Sequence, residues 1–148
     1  MPNTQTGFGS PEQVHIENEW YDGPRNAIAD IGGRPHRFVS QWDESEDEYL
    51  GTCLVWPVAP DELVLGREQW LIFVAWNDEY EAGRVGCNTH PGQPSSNARW
   101  HEIDGSLKSL RETVPLGARP AKAQAVDIER DRRYAPDGRQ YRLAWRFL

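Results

Sequence analysis

The chain has 148 residues, 38% of them hydrophobic, and a formal charge of −7, which together predict a single domain with a core of its own. Seven Trp, five Tyr and four Phe exclude a disordered polar chain, because rings of this size must be buried. The excess of acidic side chains disfavours nucleic-acid binding, since phosphate backbones repel them, and no apolar run reaches the ~20 residues of a membrane helix.

The first half of the chain is predicted to form strands. Residues 1–12 hold Pro and Gly but little that is apolar, so we expect a flexible N-terminal tail followed by one domain over 13–148. From Gln13 onward apolar and polar residues alternate, which predicts a half-buried strand with Val14 and Ile16 on one face. The same alternation predicts further strands at 27–31, 36–42 and 50–56.

Two turns and one charged connector separate these strands. The sequence Asp-Gly-Pro-Arg at 22–25 has the chemistry of a turn, and Gly32-Gly33 permits the positive φ angles of a tight hairpin. The acidic run at 43–48 lacks the spaced ligands and central Gly of a calcium loop. We therefore expect it to be a solvated connector.

The middle of the chain is predicted to form two helices. No turn signal interrupts residues 68–82, which is long for a strand, and this favours a helix over 61–82 although 70–76 is apolar throughout. An irregular loop at 84–97 follows, and Ser95 or Ser96 is predicted to cap a second helix. Its apolar positions recur at steps of three and four from Trp100 to Val114.

The last third returns to strand, at 121–128 and 141–147, with a Pro-Asp-Gly turn at 136–138. A shift of the apolar parity at Val126 predicts a bulge in the first of these strands. The order strands–helix–helix–strands predicts an α+β fold: a single antiparallel sheet of five or six strands, with two helices packed on one face.

The charge is unevenly distributed. Residues 1–117 carry 8 basic and 19 acidic side chains, whereas residues 118–148 carry 8 basic and 4 acidic. This predicts that the basic end pairs with the acidic body, or that it offers a patch to an anionic partner. Cys53 and Cys87 are too few for a disulfide scaffold, and without a secretory signal we expect both to be reduced in the cytoplasm.

The opening strands also carry a resemblance. The sequence Tyr-Asp-Gly-Pro-Arg at 21–25, followed by Gly33-Arg34-Pro35-His36 and then Phe38, is similar to the opening of a group of short bacterial proteins. The likeness extends over residues 20 to about 113. No activity is established for that group, so the resemblance implies a bacterial origin and no mechanism.

One candidate binding region is the turn after the first strand. Trp20 and Tyr21 offer ring faces, and Arg25 offers a planar fork for a carboxylate or phosphate, which is typical of a ligand-recognition loop. The alternative is an internal arrangement, with Asp22 capping its own turn and Arg25 lying across a Trp ring. His36 could act as a base, but we expect a core histidine with its hydrogen bonds satisfied.

A second candidate region is the 84–101 loop, with His90, Trp100 and His101 as its binding residues. Cys87 lies three residues before His90, a spacing that resembles half of a zinc site. A structural zinc site needs four ligands and the strong double Cys pair is absent. We therefore expect Cys87 to pack as a small apolar side chain, and we expect no metal and no cofactor.

From these features we expect a non-enzymatic binding or accessory module of the bacterial cytoplasm, with a protein partner or a small ligand. An acidic body would suit a basic partner, as in an immunity or inhibitor protein that neutralises a basic toxin. The alternative is a small hydrolase-like enzyme that uses a histidine with Asp22 near the 84–101 loop. The enzyme would require at least two histidines and Asp22 to converge on one pocket. The sequence leaves the oligomeric state open.

Overall fold

The computed structural model describes residues 7–148. Its strands are β1 (Glu12–Trp20), β2 (Pro24–Ile31), β3 (Arg34–Asp43), β4 (Glu48–Pro57), β5 (Arg119–Asp127), β6 (Tyr134–Ala135), β7 (Gly138–Arg139) and β8 (Tyr141–Phe147). Its helices are α1 (Pro60–Glu81) and α2 (Ala98–Glu112), with a 3-10 turn at Cys87–Thr89 between them. The chain therefore has the mixed α+β content and the two helices that the sequence predicts.

The main sheet contains six antiparallel strands and closes into a barrel in the order β1-β2-β3-β4-β5-β8. The sequence predicts a single antiparallel sheet with two helices on one face. The antiparallel sheet is confirmed, but the prediction did not include its closure into a barrel. The physical cause of this closure is the curvature of β1, whose pairing with β2 shifts register at three places. Bulges of this kind bend a strand and increase its twist, which allows a sheet to close.

One of these bulges separates two side chains that the alternating pattern places together. Val14 packs inside the barrel with Phe38 and Leu143, whereas Ile16 faces outward against α1. Side chains alternate between the two faces of a strand. One extra residue in the strand therefore moves each later side chain to the opposite face. The bulge predicted at Val126 is absent: Ala121–Asp127 pair with β8 without a register shift. Val126 is 36% exposed, so it simply lies on the outer face.

The barrel interior alternates small and large side chains. Ala27, Ala29 and Ala121 are fully buried and leave room for rings. Phe38 and Trp145 meet edge to face with their ring centroids 5.3 Å apart. Small side chains next to large rings are the usual way in which a narrow barrel packs its interior.

The Gly32-Gly33 hairpin forms as predicted and is tied to the start of β1. Both glycines have positive φ, and their N–H groups donate to the carboxylate of Glu12 at 2.9 and 2.7 Å. The Gly9 N–H donates to the Trp145 carbonyl at 2.9 Å. The first six residues of the predicted tail lie outside the described residues.

The two helices lie between β4 and β5 in the chain and outside the barrel in space. The predicted helix over 61–82 is confirmed as α1, which packs Trp70 and Val74 against Ile16 and Ile28 of the barrel wall. Asn97, rather than the predicted serines, caps α2: its Oδ1 accepts from the Trp100 N–H at 2.8 Å. Neither helix of residues 7–148 combines the length and apolar character needed to cross a membrane.

The small β6–β7 hairpin closes the space beside β1. Trp70 donates from Nε1 to the Ala135 carbonyl at 2.7 Å, which fixes the hairpin to α1. Arg132 pairs with Asp78 of α1, and Arg139 donates from Nε to Glu17 at 2.9 Å. Two cations of the basic end therefore pair with the acidic body, which is one of the two arrangements that the charge distribution predicts.

Two glycines provide a matched test of this packing. A Cβ at Gly138, whose φ is +135°, would lie 2.0 Å from the Val14 carbonyl oxygen, whereas a Cβ at Gly105 in α2 meets nothing within 4 Å. We expect Gly138→Ala to lower the free energy of unfolding by about 3 kcal/mol or more, because backbone would have to move. Gly105→Ala should raise it by about 0.5–1 kcal/mol. Urea unfolding of both variants decides this, and equal effects would contradict the close approach of β7 to β1.

Candidate functional site

A cleft of about 480 Å³ lies between the wall of the barrel and the two helices. The elements that line it are β1, β2, α1, the loop before α2, α2 itself and β6. The lining residues are Glu17, Asn18, Glu19, Trp20, Asn26, Gln69, Trp70, Phe73, His90, Trp100, Asp104, Arg111, Glu112 and Tyr134. Its volume falls in the usual range of ligand pockets.

Behind the cleft lies Arg37, which is fully buried on the outer face of β3. Its Nε donates to Glu62 of α1 at 3.2 Å. Its Nη1 donates to the side-chain oxygens of Asn18 at 2.7 Å and Asn26 at 2.6 Å, both of which line the cleft. Arg37 therefore joins two strands and a helix at one point.

The surroundings of Arg37 make its protonated form less stable than it is in water. Burial lowers the pKa of Arg37 to about 10; the carboxylate of Glu62 acts in the other direction, and the positive charge of Arg111 lowers the pKa further. The guanidinium is still protonated at neutral pH. The rear of the cleft consequently holds two positive charges close enough to repel each other.

One side of the cleft is formed by contacts between α1 and α2. Arg111 donates from Nη1 to Asp104 at 2.8 Å and also donates to Gln69, which in turn donates to Asp104 at 3.3 Å. The Arg111 side chain is 13% exposed. These bonds fix the orientation of one cation and one carboxylate on the cleft wall.

Aromatic rings form a continuous surface along the cleft. Phe73 lies 5.6 Å from Trp70 and 5.0 Å from Tyr134, measured between ring centroids. His90 extends this surface, with its ring centroid 5.9 Å from Phe73 and 5.6 Å from Trp100. Ring faces of this kind attract flat or cationic groups.

His90 is fixed as a neutral ring. Its Nδ1 accepts a hydrogen bond from the Gly92 N–H at 2.8 Å, which places the ring proton on Nε2. Burial lowers the pKa of His90, so it remains uncharged at neutral pH. It contributes a ring surface and one donor rather than a positive charge.

At one corner the chain itself holds a guanidinium among rings and a carboxylate. Arg139 donates to Glu17, and its Cζ lies 4.6 Å from the Tyr134 centroid, 4.9 Å from that of Tyr141 and 5.4 Å from that of Trp20. Tyr141 also donates to Glu17; burial and the charge of Glu17 raise the pKa of Tyr141. Tyr141 therefore remains a neutral donor.

Two carboxylates remain towards the opening of the cleft. Glu19 accepts a hydrogen bond from Tyr49 at 3.2 Å, and Glu112 forms no ion pair within residues 7–148. Both are exposed. The cleft thus combines an arginine pair at its rear, a ring surface along its side and acidic groups at its opening.

The structure brings three of the predicted binding residues together in this cleft: Trp20, His90 and Trp100. The first comes from β1 and the other two from the loop and α2. These segments are far apart in the sequence, so their convergence depends on α1 and α2 folding back over the barrel wall.

The other turn residues lie beside the cleft instead. Arg25 donates to the carbonyls of Tyr21 at 2.7 Å and Asp22 at 2.9 Å, and its guanidinium lies 4.0 Å over the ring of Tyr49. The Arg25 part of the internal arrangement is therefore observed, with Tyr49 in place of a Trp, and Asp22 takes part through its backbone carbonyl. Asp22 and Arg25 also line a second cavity of about 240 Å³ at the end of the barrel.

The remaining histidines do not converge with Asp22. His36 bonds through Nδ1 to the Arg34 carbonyl at 2.7 Å, and His101 bonds through Nε2 to the Gln93 carbonyl at 3.0 Å. Of the residues that the hydrolase alternative requires, His90 alone lies in the cleft. The convergence of two histidines with Asp22 that the hydrolase alternative requires is therefore not found in residues 7–148.

Neither Cys87 nor the acidic run at 43–48 forms part of a metal site among residues 7–148. Cys87 is exposed, so the prediction that it packs as a small apolar side chain is wrong, and residues 7–148 contain no group of three His, Cys, Asp or Glu side chains placed to hold a metal ion. Asp43 accepts hydrogen bonds from the Ser45 N–H at 2.9 Å and from its hydroxyl at 2.7 Å. The hydrogen bond from the Ser45 side chain is the main reason that the pKa of Asp43 is lowered.

Sequence reasoning missed the polar residues at the rear of the cleft. Arg37 occupies a strand position that the alternation assigns to solvent, and Arg111 belongs to the polar face of α2. The signal for Arg111 is its spacing of seven residues from Asp104, which places both on one helix face. No pattern in the sequence indicates that α1 covers Arg37.

Comparison with protein-family models, curated proteins and solved structures finds no match to this chain. The resemblance to short bacterial proteins therefore stays a prediction, and the function must be argued from the geometry of the cleft.

The two thiols should differ sharply in reactivity. Burial raises the pKa of Cys53 to about 12, and its thiol donates to the Ala121 carbonyl, whereas Cys87 is exposed. Because the thiolate is the reactive form, we expect a disulfide reagent at pH 8 to modify one thiol of the folded protein and both after denaturation. Cys87→Ser should abolish the fast reaction. Fast reaction of the Cys87→Ser variant would contradict the burial of Cys53.

Proposed function

We propose that the protein is a non-enzymatic binding module of the bacterial cytoplasm, and that its cleft recognises a cationic group of a basic partner. The observation that carries this proposal is the composition of the cleft lining, in which a continuous ring surface adjoins two carboxylates, Glu19 and Glu112, that form no ion pair within residues 7–148. Rings and carboxylates together bind a desolvated ammonium or guanidinium more strongly than either does alone.

The corner around Arg139 supports this assignment. There the chain's own guanidinium is bound by Glu17 and by three rings. Across the cleft, Phe73, His90 and Trp100 offer further ring faces, and the exposed carboxylates of Glu19 and Glu112 also line it. A cation brought by a partner would therefore meet rings and carboxylates, the two kinds of group that surround Arg139.

The position of Glu112 also supports a binding role. It is the last residue of α2, where the helix dipole disfavours a negative charge. It pairs with no cation in residues 7–148. A carboxylate held at a locally unfavourable position beside an open cleft is well placed to meet a cation from a partner.

The overall charge of the protein is compatible with such a partner. The formal charge of −7 draws basic proteins towards the surface and speeds their association at low salt. An accessory role, such as the inhibition of a basic toxin, fits this balance. The buried area of the complex, and much of its affinity, would depend on the partner's surface around the cleft. The cleft itself would bind one cationic side chain of the partner.

A small guanidinium compound tests the proposal directly. We expect agmatine to change the tryptophan fluorescence saturably, because Trp20, Trp70 and Trp100 line the cleft, and we expect the affinity to fall with salt. Glu112→Gln should weaken binding by about twofold to fivefold and Trp100→Leu by about threefold or more.

Glu81→Gln is the matched control, because it removes the same charge at the exposed end of α1, outside the cleft. It should leave agmatine binding unchanged. Either of two results would contradict the proposal: no saturable response to agmatine, or equal weakening by Glu81→Gln and Glu112→Gln.

The cellular partner is tested by capture from the native host with the wild-type protein and with a Glu112→Gln/Trp100→Leu double variant. A basic protein that the wild type retains and the double variant loses would support the proposal. Retention of the same proteins by both would count against the cleft as the recognition surface.

A further inference from the structure

Two buried side-chain nitrogens among residues 7–148 have no hydrogen-bond partner: Nη2 of Arg37 and Nε of Arg111. Buried N–H groups are almost always paired, so each orphan calls for an explanation. Arg111 lines the cleft, and Arg37 lies directly behind it, where it donates to Asn18 and Asn26 of the lining. Their coincidence indicates an acceptor that the chain itself does not supply.

The charges at this place favour an anionic acceptor. The guanidinium of Arg37 shares its charge with Glu62, and that of Arg111 with Asp104, yet the two cations still repel each other. An anion that approaches both would relieve this repulsion and accept the free N–H groups. The Arg111 side chain is 13% exposed and lines the cleft, so an anion in the cleft can reach its guanidinium.

We infer that the cleft binds a ligand carrying a carboxylate as well as a cation, with the carboxylate on the Arg37–Arg111 pair and the cation among the rings and acidic groups at the opening. The ligand class is a basic amino-acid residue with a free α-carboxylate, either as the free compound or as the C-terminal residue of a partner chain. This inference rests on the proposed function and adds the polarity with which the ligand enters.

The separation of charges within the cleft supports that polarity. The arginine pair lies at the rear, where Arg37 is fully buried, whereas Glu19 and Glu112 are exposed at the opening. A ligand with a single cation would use the opening alone. A ligand with both charges would use the whole cleft, and its orientation would be fixed.

The decisive comparison is between L-arginine and agmatine, which share the guanidinium and differ in the carboxylate. Agmatine is the more positive of the two, so attraction to the acidic opening alone would make it bind more tightly. We expect L-arginine to bind about tenfold more tightly by isothermal titration, because a carboxylate on an arginine adds a charge-assisted hydrogen bond. Equal binding, or tighter binding of agmatine, would overturn this inference and leave the proposed function intact. Failure of both to bind would defeat the proposed function itself.

A second pair of probes shows whether the ligand is a free amino acid or the C-terminal residue of a chain. The probes are acetyl-Gly-Arg as the free acid and acetyl-Gly-Arg as the amide. A preference for the free acid places a C-terminal residue in the cleft. Binding of L-arginine with no binding of either dipeptide places a free amino acid there. Tighter binding of the amide than of the acid, with no preference for L-arginine over agmatine, rejects the carboxylate site.

Arg111→Gln tests the residue assigned to the carboxylate. We expect it to reduce the ratio of L-arginine affinity to agmatine affinity from about ten to about one, and Arg111→Lys to restore part of that ratio. Arg99→Gln is the matched control on the same helix, since Arg99 pairs with Glu68 and Glu102 outside the cleft. With thermal unfolding confirming that each variant is folded, an unchanged ratio in Arg111→Gln would overturn the assignment.

Discussion

The structure depends on a fully buried guanidinium between the barrel and the helices. Arg37 is inaccessible to solvent and Glu62 is 5% exposed, so two charges have been taken out of water where α1 crosses the wall of the barrel. Attraction between them roughly offsets the cost of removing both from water, and the pair is therefore a weak source of net stability. Its consequence is positional, because α1 can lie only where Glu62 meets Arg37. Asn18 and Asn26 complete the shell of acceptors and bring β1 and β2 into the same arrangement.

The cleft follows from that position. Once α1 is fixed on the barrel, Gln69, Trp70 and Phe73 form one wall, and α2 packs on α1 with Arg111 and Asp104 facing the same space. The β6–β7 hairpin closes the end through the Trp70–Ala135 hydrogen bond. The result is a site with cations at the rear and carboxylates at the opening, built from segments that are separated by more than half of the chain. His36, His90 and His101 are each held in a separate local hydrogen bond, and of these three only His90 lines the cleft.

Local signals predicted the elements well, and they failed where tertiary packing decides. Gly32-Gly33 forms the predicted hairpin because its φ requirement is local, and the steps of three and four after Trp100 predict α2 for the same reason. The sequence predicts Val14 and Ile16 on one face, because both are buried, one in the barrel and one against α1, so the bulge between them leaves the apolar alternation unbroken. The closure of the barrel depends on the same bulges, so the sequence does not indicate it either. The aromatic part of the site was accessible from Trp20, His90 and Trp100, whereas Arg37 was not, since its burial depends on a helix that follows it in the chain.

The central claim is that Arg37 and Glu62 act as one unit that positions α1 on the barrel. A double-mutant cycle of Arg37→Met and Glu62→Leu, measured by urea unfolding, tests it most directly. Each single variant leaves one buried charge alone and should lower the free energy of unfolding by about 3–5 kcal/mol. The double variant should lose less than the sum of the two single losses, with a coupling energy of about 2–3 kcal/mol. Additive losses would show that the two side chains act independently and would contradict the account.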